Sequence, residues 1–171
     1  MRNESKAQGV DAQTPVALPE NGKRAMLDLD TFMPYRLSVL SNRVSKAIAS
    51  EYSSRFGLTI PEWRVMAVLG GTPGLSARSV AERTEMDKVQ VSRAVARLRR
   101  ARRIERSVDG DDGRVTRLCL SSRGKAIYDE IAPLAMRLER RFLEVLTAQE
   151  REALDRLTTK LSQHAKGFLQ D

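Results

Sequence analysis

The 171-residue sequence predicts a mainly α-helical fold with one small β-hairpin, and three observations support this prediction. First, apolar residues recur at steps of three and four over most of the chain after residue 30, which is the spacing of one helix face. Second, the period changes to strand-like alternation at 104–108 and again at 114–120. Third, the segment Asp109–Gly113 between these two stretches is rich in Asp-Gly pairs, which is a strong hairpin signal.

Composition excludes several classes of protein. The only cysteine, Cys119, excludes an internal disulfide, and with one histidine, His164, it cannot supply a His/Cys metal site, so we expect no cofactor. No apolar run approaches the roughly 20 residues that span a bilayer, and residues 1–22 lack a signal-peptide core. We therefore expect a cytoplasmic protein with no membrane partner. The net charge of +8 favours a polyanionic partner.

The first helix follows a polar N-terminal stretch. Residues 1–26 are interrupted by Gly and Pro, and we predict that they form a disordered arm. A helical pattern begins at Asp30 and continues to Phe56, where Gly57 ends it. Pro34 fits only near the start of this helix.

The middle of the chain predicts a DNA-binding lobe at 58–121. Thr59 begins a buried helix with a capping-box pattern. Ser76 and Asp87 are N-cap candidates for two short helices, which are joined by the turn Thr84–Met86. Two short helices with a tight turn, followed by a two-stranded hairpin, form a winged helix-turn-helix arrangement.

Two C-terminal helices complete the chain. Ser121 can cap a long helix whose apolar stripe extends to Val145, and Thr147 begins a last helix with a second capping box. These helices and the first one carry more apolar surface than a small winged core can cover. We predict that 27–57 and 122–171 form a helical dimerisation region. The alternative is that these helices fold back as an intramolecular bundle.

The helix from Asp87 is the predicted DNA-recognition helix. If Val91, Val95 and Leu98 point inward, its opposite face combines cations, polar donors and small apolar groups. Arg pairs with guanine, Gln with adenine, and small apolar side chains pack on a thymine methyl, while hydroxyls and helix N-termini hold phosphates. We predict double-stranded DNA as the partner. The predicted contacts from the helices are Ser76, Lys88, Val89, Gln90, Ser92, Arg93, Ala96, Arg97 and Arg100.

Charge is concentrated at the same place. Between Lys88 and Arg106 the sequence has eight Lys and Arg against Glu105 alone, a local net charge of +7. The alternative for such a cluster is a solvated surface, but its coincidence with the second helix of a helix-turn-helix favours DNA binding.

The hairpin is the second predicted contact with DNA. Arg114 lies at its tip and can enter the minor groove, where negative potential is concentrated. Asp112 can brace that guanidinium through a charge-assisted bond, or it can simply form the turn.

Three linked segments resemble motifs of the MarR (multiple-antibiotic-resistance regulator) family. Leu58–Met66 is similar to the family's LTxxQWxVL helix, Leu75–Leu98 resembles its helix-turn-helix, and Asp111–Gly124 resembles the wing DDRRxxxxxLTxxG. Gly113 stands where the family has the first Arg of the wing pair, so the minor-groove contact depends more on Arg114.

The resemblance implies a homodimer that binds a palindromic operator with half-sites about one helical turn apart. It also implies an effector pocket between the winged lobe and the dimerisation helices, where binding releases the DNA. Peroxide-sensing members carry a reactive cysteine near the first helix, whereas Cys119 lies in the wing strand, so we expect no redox sensor.

Aromatic and cationic residues border this implied pocket. The candidates for ligand binding are Tyr35, Arg36, Arg43, Trp63 and Arg64. Rings can stack on an aromatic ligand, and guanidinium groups can hold a carboxylate or a phosphate. The resemblance implies an aromatic acid or its coenzyme A thioester, because members of the family often govern aromatic catabolism. The alternative is that Trp63 is a core residue and that the arginines lie on the surface or form dimer salt bridges.

We therefore predict a ligand-responsive homodimeric transcription regulator, in particular a repressor. The alternative is a constitutive architectural DNA-binding protein with no effector response. An enzyme is not expected, because the sequence lacks a glycine-rich phosphate loop, a nucleophile elbow and a histidine near a candidate nucleophile.

Overall fold

The computed structural model describes residues 26–108 and 116–168. In these residues the chain is mainly helical with one two-stranded antiparallel sheet, as predicted. The chain divides into two compact units, residues 1–39 and residues 40–171. The boundary between them falls within the first helix. The elements are α1 (Met33–Phe56), α2 (Ile60–Gly71), α3 (Ala77–Thr84), α4 (Lys88–Arg100), β1 (Ile104–Val108), β2 (Thr116–Leu120), α5 (Ser122–Leu143) and α6 (Ala148–Phe168).

Helix α1 begins at Met33, so the prediction that it starts at Asp30 was wrong. The carboxylate of Asp28 accepts hydrogen bonds from the backbone N–H of Asp30 (3.0 Å) and from the hydroxyl of Thr31 (3.1 Å). These local bonds hold a turn before the helix, because Asp side chains compete with helical backbone bonding. Pro34 is the second residue of α1, which agrees with the prediction that it lies near the start.

The N-terminus of α2 has the predicted capping box. The backbone N–H of Thr59 donates to Glu62 Oε2 (2.7 Å), and the backbone N–H of Glu62 donates to Thr59 Oγ1 (3.4 Å). Glu62 is buried, and its Oε2 also accepts a hydrogen bond from the Thr59 hydroxyl (2.7 Å), so the capping box provides two donors for this carboxylate oxygen.

Helices α3 and α4 form the predicted helix-turn-helix and begin at the predicted caps. Ser76 Oγ accepts from the backbone N–H of Ser79 (3.1 Å), and Asp87 Oδ1 accepts from that of Gln90 (2.7 Å). The turn between the helices contains Glu85 in the left-handed conformation, with φ of 52°.

The core lies among the C-terminal part of α1, α2, α3, α4, the hairpin and the first half of α5. Val91, Val95 and Leu98 are all buried there, which confirms the predicted inward face of α4. Besides Val91 and Leu98, the core members that are at most 1% exposed are Tyr52, Val65, Met66, Leu69, Val80, Leu118 and Ile131.

The two strands pair in antiparallel register from Ile104 opposite Leu120 to Val108 opposite Thr116. A β-bridge adds the loop before α3, because the backbone N–H of Leu118 donates to the carbonyl of Leu75 (2.8 Å). The returning strand is described from Thr116 onward, and the predicted strand residues 114–115 lie outside the described residues, as does the hairpin turn.

Helix α5 ends at Leu143, so the prediction that Val145 continues its apolar stripe was wrong. Val145 lies in the connecting turn and is 85% exposed. The Arg151 side chain donates to the carbonyl of Leu143 (3.0 Å), and Thr147 begins α6 through a capping box with Glu150. These bonds satisfy the end of one helix and the start of the next, so the turn is fixed locally.

No residue of α6 is buried in the described structure, although the helix carries several leucines. Within the described residues, every helix is too short or too polar to cross a membrane.

Candidate nucleic-acid interface

The outer face of α4 is exposed along its length. Val89, an apolar residue, is 57% exposed, which places it among the residues that the core does not cover. The structure also exposes the other predicted contacts of this helix, namely Lys88, Gln90, Ser92, Arg93, Ala96, Arg97 and Arg100. It therefore brings this predicted set onto one solvent-facing surface, opposite the buried stripe.

Ser76 has a different environment from the other predicted contacts. It is half-buried, and its hydroxyl oxygen caps α3 through Ser79. Any contact that it makes with DNA must therefore be compatible with this bond.

The C-terminus of α4 is closed by a Schellman motif. The backbone N–H of Arg103 donates to the carbonyl of Leu98 (2.9 Å), and that of Arg102 donates to the carbonyl of Arg99 (2.9 Å). Arg102 adopts the left-handed conformation that this motif requires, with φ of 52°. With Asp87 capping the other end, α4 is fixed at both termini and along its buried face.

Arg103 is the exception among the basic residues of this region. The sequence pattern groups Arg103 with the surface charges. In the structure its guanidinium is turned inward and donates to the carbonyl of Phe56 at the end of α1. Its Nε is buried and has no partner among the described residues. The positive charge of the interface therefore comes from the seven other cations, all of them exposed.

Two concave surfaces flank α4, and they add residues that sequence reasoning missed. One, of about 400 Å³, is lined by Arg78, Lys88, Arg99 and Arg106 together with small and apolar residues. Arg78 is also paired with Glu82 (2.9 Å), four residues further along α3. Arg99 could have been found from the helical wheel, because it lies on the same flank of α4 as Lys88 and Ser92.

The second concave surface, of about 690 Å³, lies at the C-terminal end of α4. It is lined by Ala96, Arg99, Arg100, Arg102, Ile104, Glu105 and Arg106. We call this surface the cationic trough.

The predicted wing contacts Asp112 and Arg114 lie outside the described residues. The neighbouring Arg117, on β2, is half-buried and donates to the carbonyl of Gly74 (3.2 Å). This bond links the returning strand to the loop before α3.

Of the predicted ligand contacts, Trp63 and Arg64 lie beside Tyr52. The Trp63 ring is 5.6 Å from Tyr52 and 6.0 Å from Tyr128, centroid to centroid, and it is half-buried against the core. Burial raises the pKa of the Tyr52 hydroxyl to about 12, an effect that the positive charge of Arg64 partly opposes. Arg64 also donates to Ser45 Oγ (3.4 Å) on α1. Tyr52 was not among the ligand contacts predicted from the sequence.

The remaining predicted ligand residues are exposed. Tyr35 and Arg36 lie in the first turn of α1, within the unit of residues 1–39. Arg43 lies two turns further along α1, within the unit of residues 40–171.

Residues 56–115 match a family model described as the MarR family. An HTH-type transcriptional repressor of Mycobacterium bovis is 28% identical over 131 residues, which cover 76% of this chain and 91% of the relative. These matched proteins are regulators of transcription and not enzymes.

Solved structures show the same fold. A probable transcriptional regulator from Pseudomonas aeruginosa is 30% identical, with a TM-score of 0.67 over 78% of this chain and 99% of that one. The PcaV transcriptional regulator from Streptomyces coelicolor, in complex with its natural ligand, is 26% identical, with a TM-score of 0.69 over 82% of this chain and 99% of that one. The predicted winged-helix fold is thereby confirmed.

Proposed function

We propose that the chain is a homodimeric repressor of the MarR family of transcriptional regulators, whose family model its residues 56–115 match. We infer that it binds a palindromic DNA operator and that a small-molecule effector releases it. The observation that carries the proposal is the outer face of α4, which is exposed, basic and rigidly mounted on the core.

Direct readout of bases is supported by the residue types on this face. Arg93 and Arg97 offer bidentate donors for guanine, Gln90 offers the amide that suits adenine, and Val89 can pack on a thymine methyl. Since the N-terminal residues of a recognition helix contact base edges, Val89, Gln90 and Arg93 are the foremost candidates. Lys88 and Ser92 are proposed to contact backbone phosphates. The wing residue Arg114 is proposed to enter the minor groove.

Dimerisation is supported by apolar side chains that a single chain leaves exposed. Met136, Leu154, Leu157 and Leu161 on α5 and α6 are 45–60% exposed. An apolar surface of this kind on consecutive helices is typical of a protein–protein interface. A two-fold dimer would present two copies of α4 to a palindrome, which matches the symmetry of the DNA to that of the protein.

The regions of the chain then have separate roles in this proposal. Residues 58–121 form the DNA-binding lobe, and residues 27–57 and 122–171 form the dimerisation region. The predicted N-terminal arm, residues 1–26, lies outside the described residues except for Met26.

Effector binding is supported by the aromatic and cationic residues around Trp63. Tyr52 and Trp63 provide ring surfaces, and Arg64 lies near enough to influence the titration of Tyr52. This chemistry suits an aromatic acid or its coenzyme A thioester, with Arg43 of the same unit as a further candidate contact. PcaV, a similar protein, has a solved structure in complex with its natural ligand, which supports the proposal that this chain also binds a ligand.

A mobility-shift assay on DNA flanking the protein's own gene tests this proposal. Benzoate and benzoyl-coenzyme A serve as probes of the two effector chemistries, and acetate and free coenzyme A serve as matched controls. We expect a shifted complex with two chains per duplex that dissociates with at least one aromatic probe and with neither control. A complex that persists with every aromatic acid and thioester would favour the architectural alternative.

A further inference from the structure

Arg102 occupies a backbone position where a side chain is unfavourable. It is the residue after the C-cap of α4 in the Schellman motif, and its φ of 52° lies in the left-handed region. Glycine is the usual residue at this position, because every residue with a Cβ atom is strained there. The sequence has arginine at this point instead.

The conformation is imposed by the surrounding backbone and not by the arginine side chain. The Ser121 hydroxyl donates to the carbonyl of Arg102 (2.8 Å), and the Arg102 N–H is bonded to the carbonyl of Arg99. The Arg102 guanidinium has no hydrogen-bond or ion-pair partner in the part of the chain that the structure describes. No contact of this side chain therefore offsets the backbone strain. Strained residues of this kind concentrate at functional sites.

The side chain lines the cationic trough. Four arginines, Arg99, Arg100, Arg102 and Arg106, surround a concave surface with Glu105 as the one carboxylate in its lining. Within residues 26–108 and 116–168 none of these five groups forms an ion pair. An uncompensated cluster of guanidinium groups in a concave surface is a favourable place for phosphate oxygens.

The length of α4 places the trough away from the bases. The helix has 13 residues and is therefore about 20 Å long, whereas the major groove is about 12 Å wide. If the N-terminal residues of α4 contact the base edges and its axis crosses the groove, its C-terminal end reaches the sugar-phosphate backbone that borders the groove.

We propose that the cationic trough, with Arg102 as its strained member, binds backbone phosphates of the DNA strand that borders the groove read by α4. This inference rests on the proposed function, because it requires that α4 enters the major groove. It adds Arg99, Arg102 and Arg106 to the DNA interface and gives a reason for the arginine at a glycine position.

The variant R102G separates this role from a structural one. Glycine relieves the strained conformation, so we expect the melting temperature of the full chain to rise by about 2–4 °C. DNA affinity at 0.1 M salt should nevertheless fall by roughly threefold to tenfold. The slope of log K against log salt should decrease by about 0.9 for each subunit on the duplex.

Three further variants serve as controls. R102Q keeps the Cβ strain and removes the charge, so it should weaken DNA binding as R102G does without raising the melting temperature. R102K should retain most of the affinity. E85G relieves a second left-handed residue, Glu85, which lies in the helix-turn-helix turn and not in the trough, so it should raise the melting temperature without reducing the salt slope.

Fluorescence anisotropy with labelled DNA from the protein's own upstream region, and with random duplex, measures the affinities and salt slopes. Thermal denaturation followed by circular dichroism measures the melting temperatures. If R102G and R102Q bind with wild-type affinity and salt slope while the wild type binds DNA, the trough is not part of the interface and the inference is wrong. A lower melting temperature for R102G would also overturn it, since the arginine would then be a stabilising residue. If the wild-type chain binds neither duplex, the proposed function itself fails.

Discussion

A Cβ atom on Gly124 would overlap the carbonyl oxygen of Arg103. The same carbonyl accepts a hydrogen bond from the backbone N–H of Ser121 (3.0 Å). The first turn of α5 therefore lies directly against the turn that ends α4. Because α4 carries the proposed base contacts, this close approach fixes the end of the recognition helix relative to the hairpin and α5.

We expect Gly124→Ala to destabilise the protein by about 2 kcal/mol or more, because the added methyl group must displace backbone and not a flexible side chain. Gly167→Ala is the matched control, since a Cβ there meets nothing within 4 Å and alanine favours a helix. Urea unfolding of both variants checks the prediction. Equal stability of the two variants would mean that the contact between Gly124 and Arg103 is looser than the structure shows.

Arg93→Ala should weaken binding to the operator by about 1–3 kcal/mol if the guanidinium is bidentate to a guanine. The loss on random duplex should be smaller, because only base contacts depend on sequence. Arg140→Ala, a neutralisation of an exposed arginine on α5, is the control and should leave both affinities close to wild type. An equal loss on operator and random duplex would count against direct readout by Arg93.

Leu157→Glu should convert the proposed homodimer to monomers. Leu157 is 48% exposed on the apolar face of α6, and a buried carboxylate at an apolar interface carries a large desolvation cost. Thr159→Glu adds the same charge on the opposite face of α6 and should leave the dimer intact. Sedimentation equilibrium measures the outcome, and an unchanged mass for the Leu157 variant would exclude this face from the interface.

The ionisation of Tyr52 gives a test of the packing around Trp63. Its pKa is raised to about 12 by burial, so the folded state retains the proton more strongly than the unfolded state, whose pKa is about 10. The stability that depends on this proton is therefore fully present below pH 10, and it decreases by about 1.4 kcal/mol per pH unit as the pH rises toward 12.

The absorbance of tyrosinate at 295 nm measures this ionisation. The difference between titrations of the wild type and Tyr52→Phe isolates one of three tyrosines, and we expect a midpoint near pH 12. A midpoint near pH 10 would show that Tyr52 is solvated and that the group around Trp63 is open.

Local patterns in the sequence predicted the parts of the fold that depend on neighbouring residues. The caps at Thr59, Ser76 and Asp87 and the inward face of α4 follow from side-chain types within one or two turns, and the structure confirms them. The same pattern predicted that the outer face of α4 is exposed, because a 3.6-residue period assigns the buried and the exposed side of a helix together.

The features that the sequence did not predict depend on distant or competing contacts. Arg103 is turned inward because it bonds to Phe56, 47 residues away, and no local pattern distinguishes it from the exposed arginines around it. The spacing of Val145 fits the apolar stripe of α5 and so predicted a helical position. In the structure Arg151 bonds to the last residue of α5 and Thr147 caps α6, so Val145 lies in the turn between the two helices. The strain at Arg102 is likewise visible only in the backbone.

The affinity ratio between operator and scrambled DNA measures whether the chain recognises a specific DNA sequence. The full chain is titrated into labelled DNA from upstream of its own gene and into a scrambled duplex of the same composition, at the same salt concentration. A sequence-specific regulator should bind the first at least about 10³-fold more tightly than the second. Equal affinity for the two duplexes would contradict the account and identify the chain as a nonspecific, architectural DNA-binding protein.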